Sequence, residues 1–137
     1  MADELDAFLD ALVVKVATIT GINQAPRFPP ESANDPPMAI CYAVSGRSSV
    51  AGALTVVHRV HVDILLSRTI LPHTVEFAEP FIYRGMELFW GNVQMSDTCE
   101  NCTWAGYEVG TIRGEEYLGG RFLLDVKIRH ASLSISA

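Results

Sequence analysis

The chain of 137 residues predicts an α+β fold, a mainly antiparallel four-stranded sheet packed against two helices, as a single domain over residues 1–137. Three observations predict it: an apolar stripe at helical spacing near the amino terminus, a strictly alternating segment in the middle, and a final third that alternates twice around a polar turn. A chain of this length buries one core and has no room for two folded domains and a linker.

In order along the chain, Leu5, Phe8, Leu9, Leu12, Val13 and Val16 recur at i, i+3, i+4, i+7, i+8 and i+11, one stripe of a helix over about residues 4–18. Asp3 is placed to cap it, and Gly21 follows at its stop. Five of the seven prolines then fall between Pro26 and Pro37, which blocks regular hydrogen bonding. Met38 to Val44 reads as a short buried strand with Cys41 as a small core residue, and Ser45 to Gly52 as a polar loop. In LTVVHRVHVDILL, Leu54, Val56, Val60, Val62 and Ile64 take one face of a strand, while Thr55, Arg59, His61 and Asp63 take the other, predicted to be solvated. Helical spacing returns after Pro72, and Pro80 should kink that helix or open its longer half, from about Glu79 to Trp90. A hairpin closes the chain: Trp104 to Ile112, a turn over 113–116, and Tyr117 to Arg129, with Phe122, Leu124, Val126 and Ile128 facing inward. Gly119 and Gly120 signal a bulge or a close backbone approach.

Composition narrows the function. Hydrophobic residues make up 49% and charged ones only 19%, against a usual charged share of roughly 25%; some apolar surface is therefore expected to be kept for partner subunits. No apolar run approaches the roughly 18 residues that cross a bilayer, and the acidic start is unlike a secretory signal. A soluble, intracellular protein without membrane contact is expected. Asn101-Cys102-Thr103 would accept a glycan only in a secreted protein, and three cysteines do not suggest a disulfide framework. The net charge of −6, with 10 basic residues scattered along the chain, argues against gripping phosphates. Such a surface would let DNA slide past without specific binding.

The chemistry-bearing motifs are few. There is no phosphate loop, no nucleophile elbow and no paired-carboxylate arrangement, so neither an enzyme nor a cofactor is expected. His58 and His61 point to opposite faces of a strand and cannot share a metal, whereas His61 and Asp63 share a face but have no nucleophile beside them. Cys99-Glu-Asn-Cys102 has the spacing of half a zinc site, yet Cys41, His58, His61, His73 and His130 supply no second motif to complete it. It reads as loop. A small zinc- or thiol-dependent protein-binding module using Cys99 and Cys102 is the alternative.

The order of elements, with AEPFIYRGMELFWGN over 78–92 and YEVGTIRGEEYLGGRFLLDV over 107–126, resembles the tail terminator and tail completion (neck) proteins of long-tailed bacteriophages. Tyr117-Leu118-Gly119 and Phe122 to Val126 carry most of the likeness; Pro80 and the Cys99–Cys102 segment depart from it. The resemblance implies a structural ring, usually of six copies, that caps the tail tube and meets the head-side connector while DNA passes through its lumen. It implies a place in the tail or neck of the virion after assembly in the host cytoplasm. Arg47, Ser48, Ser49 and Val50 in the polar loop, with Arg113, Glu115 and Glu116 in the hairpin turn, are the candidate interface residues.

Overall fold

The computed structural model describes residues 4–27, 37–48, 55–67, 74–95, 97–112 and 117–130. Two helices and a four-stranded antiparallel sheet form an α+β fold: α1 (Glu4–Val16), β1 (Met38–Ser48), β2 (Thr55–Ser67), α2 (Thr74–Gly91), β3 (Asn101–Ile112) and β4 (Tyr117–Arg129). The strands lie in the order β1-β2-β4-β3, so β1 and β3 are the edges. Both helices cover the same face, α1 chiefly over β1 and α2 over β3 and β4.

The alternation does what its period requires. Val60, Val62 and Ile64 of β2 and Phe122, Leu124, Val126 and Ile128 of β4 are buried under the helices, beside Phe8, Leu12 and Val16 of α1 and Phe81, Ile82 and Phe89 of α2. Helix α1 ends two residues before the expected stop. Its last turn closes through Ala17 N–H to the Val13 carbonyl and Thr18 Oγ1 to the Lys15 carbonyl, before Gly21 turns the chain at φ 98°. The expected cap Asp3 lies outside the described residues. Arg27, from the proline-rich connection, reaches back to Asp6 and, at 2.7 Å, to Asp10, fastening that segment to α1.

Three boundaries differ from the sequence expectation. Strand β1 continues through Ser45–Ser48, because a bulge at Val44 resets the pairing so that Ser45 faces Arg59 and Ser48 faces Val56. Polar residues read as loop are thus held in a ladder by a neighbour with strong strand character. Helix α2 starts at Thr74 rather than near Glu79, with Pro80 inside it. Proline there removes one helical bond and costs about 3 kcal/mol in a helix interior; burial of Ala78, Phe81, Ile82 and Phe89 on one stripe outweighs that. Strand β3 starts at Asn101 instead of Trp104, which makes Cys102 a strand residue.

Two glycines set the approach of layers. A Cβ on Gly119 would lie 1.9 Å from the Ile64 carbonyl oxygen, the close backbone approach expected of the glycine pair, next to a register shift at Leu65 to Ser67. A Cβ on Gly85 would lie 2.2 Å from the Phe122 ring, so α2 sits on β4 only because that position has no side chain.

Candidate assembly surfaces

The sheet face opposite the two helices is built from the alternate residues of the same strands. Pairing aligns Ile40, Asp63, Arg121 and Glu108 in one row, and Ser45, Arg59, Asp125 and Thr103 in another. Asp63, expected to be solvated, is only 1% exposed. Its Oδ1 accepts from Arg121 Nε at 2.7 Å, and its Oδ2 accepts from Tyr42 Oη at 2.6 Å and Arg121 Nη2 at 3.2 Å. A buried carboxylate needs such partners, since desolvation without them would be prohibitive. Burial, and then the bond to Asp63, pushes the Tyr42 phenol up to about 12, while the bond to Asp63 holds the Arg121 guanidinium protonated. Met38, Ile40 and Leu65 close a second, small apolar cluster at this end of the face, with Tyr42 against it. The solvated-face expectation therefore fails at Asp63, because its cross-strand neighbours are a guanidinium and a phenol rather than water. His61 makes an edge contact with the Tyr42 ring at 5.6 Å, and Asp63 is engaged by Arg121 and Tyr42.

The basic residues are scattered only in sequence. Arg47, Arg59, Arg121, Lys127 and Arg129, five of the 10, stand on this one face, since the pairing brings three separate strands to the same side. Arg59 is bonded to Asp125 at 2.8 Å, and Lys127 lies 3.7 Å from Glu100. Of the residues predicted as an interface, Arg47 lines a cavity of about 380 Å³ with Ser45, Arg59 and Asp125, and Ser48 ends β1. Ser49, Val50, Arg113, Glu115 and Glu116 lie outside the described residues.

The thiols occupy unreactive places. Cys41 and Cys102 are buried in the core, and burial pushes each up to about 12; Cys99, half-buried, is pushed up to about 11. A thiolate is the form that binds zinc or attacks a disulfide, and desolvation opposes it at all three positions. Among the described residues no group of three His, Cys, Asp or Glu is arranged around a metal position. His58 and His61 do point to opposite faces: His58 Nε2 meets His130 Nε2 at 2.8 Å, and His130 Nδ1 lies 3.7 Å from Glu4.

The sequence reading missed the flanks of the sheet. Beside α2 and β3, Tyr83 and Trp90 are 69% and 79% exposed, and Val93, Tyr107 and Val109 are also exposed. Tyr83, Met86 and Trp90 recur at i, i+3 and i+7, so one line of α2 runs parallel to edge strand β3. Between them lie two cavities of about 430 and 540 Å³, the first walled by Tyr83, Met86 and Tyr107, the second by Phe89, Trp90 and Trp104. Elsewhere, Val14 is exposed on the face of α1 opposite its buried stripe, and Val44 is exposed at the bulge of β1. Both edge strands carry a bulge, at Val44 in β1 and at Ala105 in β3. Bulges twist an edge away from straight strand addition. The signal was present in the helical spacing of the aromatic residues, but spacing does not say which of two apolar stripes faces solvent. Among the described residues no helix is long and apolar enough to cross a membrane. No protein-family model matches the chain, and no curated protein sequence matches it.

Proposed function

We propose that this protein is a structural ring subunit of the phage tail terminator or completion type, which caps the tail tube and joins it to the head-side connector. The observation that carries this reading is the aromatic groove between α2 and edge strand β3, with Trp90 79% exposed. Exposed aromatic clusters of this kind mark protein-binding surfaces. The resemblance of residues 78–92 and 107–126 to that family supplies the identity of the assembly. In this reading the protein acts by binding itself, the tube protein and the connector, without catalysis or cofactor, and belongs to the tail or neck of the virion after cytoplasmic assembly. DNA passes along acidic surfaces that repel phosphate, so the sheet face that gathers five basic residues turns away from the lumen. The test is sedimentation of the purified protein alone and with a tail-tube protein, followed by electron microscopy of the tubes. A closed ring seated on tube ends is the expected result; a protein that stays monomeric and ignores tubes would sink the proposal.

A further inference from the structure

We infer that the cleft between α2 and edge strand β3 docks an amphipathic helix of another protein, one that carries lysine or arginine beside its apolar stripe. The inference stands on the cleft itself and holds whether or not the chain closes a ring.

The shape of the cleft suits a helix. The Trp104 and Tyr107 rings of β3, 6.5 Å apart, each wall one of the two cavities, and Tyr83 and Trp90 wall the same cavities from α2. From Glu79 to Trp90 this wall runs about 16 Å at ~1.5 Å per residue, the length of three helical turns. Exposed aromatic residues along such a line are the anchors of helix-in-groove recognition. An added strand fits less well, because the bulge between Trp104 and Gly106 interrupts the edge of β3 on which it would have to pair.

Charge selects the occupant. Glu79 lines the first cavity, and Asp97 lines a third, at the carboxyl end of α2, that shares Val93 with the second. Among the described residues neither carboxylate has a cation partner. The nearby cations are committed elsewhere: Lys127 to Glu100, and Arg84 to the Thr20 carbonyl at 2.7 Å and the Phe81 ring. Carboxylates at both ends and aromatic faces along the walls each attract a cation. The helices of this chain are not the complement, since α1 sets Glu4, Asp6 and Asp10 against Lys15, and α2 sets Glu79 and Glu87 against Arg84. With a net charge of −6 the chain repels its own copies and attracts a cationic partner.

Trp90 and Trp104 are the two tryptophans of the chain and both line the second cavity, so intrinsic fluorescence reads its occupation directly. The probe is a labelled synthetic helix of about four turns with leucines at i, i+4, i+7 and i+11 and lysines flanking them, compared with the same peptide carrying glutamates in place of the lysines. The lysine peptide is expected to bind saturably with a blue shift of the tryptophan emission, more weakly as salt is added, and the glutamate peptide at least about tenfold more weakly. By anisotropy of the label, Trp90→Ala should weaken binding about tenfold or more, and Glu79→Lys about threefold or more, while Val14→Ala, on the outer face of α1, should change nothing. Circular dichroism confirms each fold, and Tyr83→Ala takes the place of Trp90→Ala if that variant misfolds. Absence of the emission shift, equal binding of the two peptides, or unchanged affinity in both aromatic variants would overturn the inference. So would a parent oligomer that Trp90→Ala reduces to the 15.0 kDa chain, because the cleft would then belong to a second copy. A monomeric parent that binds the lysine peptide upholds this inference and sinks the ring reading.

Discussion

The helix-side face of the sheet and the face opposite it are made by alternate residues of the same strands, yet they are held by different forces. Under the helices, Phe122 meets the Phe89 ring edge-on at 5.1 Å and contributes to a continuous apolar cluster, where stability scales with area removed from water. On the opposite face, Asp63, Arg121 and Tyr42 hold neighbouring strands through directed bonds, and Arg59 with Asp125 does so further out. The difference teaches that alternation sorts residues between faces without saying whether the second face is water or structure. Burial decides the worth of a polar contact, since a desolvated carboxylate depends on its partners and an exposed one has water as a substitute.

The largest effect should come from the helix-side face. Phe122→Ala leaves a cavity between α2 and β4 and is expected to cost about 3–5 kcal/mol in urea unfolding. A loss below about 1 kcal/mol would mean that the helix layer is not what stabilises the sheet.

Next comes the buried acid of the opposite face. Asp63→Ala strips Arg121 and Tyr42 of their shared acceptor and should cost about 3 kcal/mol, whereas Asp63→Leu combined with Arg121→Met should recover most of it by removing both charges together. Should the single variant unfold at the same urea concentration as the parent, the network is ornament and the two faces are less alike in strength than their burial suggests.

A pH titration sharpens the same point. The Tyr42 phenol lies near 12 in the folded chain and at its ordinary 10.0 in the unfolded one. Between these values the folded state keeps a proton that the unfolded state releases, so stability is fully present below about pH 10 and falls as pH rises toward about 12. Cys41 and Cys102 act in the same direction from their ordinary 9.0 upward. Stability measured from pH 9 to pH 11.5 should therefore decline in the parent and decline less in Tyr42→Phe. Equal slopes would exclude Tyr42 as a contributor.

The smallest effect belongs to the exposed pair. A double-mutant cycle on Arg59→Ala and Asp125→Ala should give a coupling below about 1 kcal/mol that shrinks with added salt. A coupling as large as that of Asp63 with Arg121 would erase the distinction between buried and exposed contacts on this face.

By itself the sequence determined the class and order of elements, because periods of 3.6 and 2 are local properties: Leu5 to Val16 could only bury one stripe as a helix, and Phe122 to Ile128 one face as a strand. It also marked Gly119 and Gly120 as a bulge or a close backbone approach, and the structure has the close approach at Gly119 with a register shift beside it. Tertiary structure alone decided the extent of β1, where pairing with Val56–Arg59 drew Ser45–Ser48 into the ladder, and the start of α2, where burial on one stripe overrode Pro80. It likewise decided that Asp63 is buried, that five dispersed basic residues share a face, and that Tyr83 and Trp90 face solvent while Phe81 and Phe89 do not. Each of these depends on which residues stand opposite one another across strands or layers, and that is set by the register between segments distant in the chain, which no local period encodes.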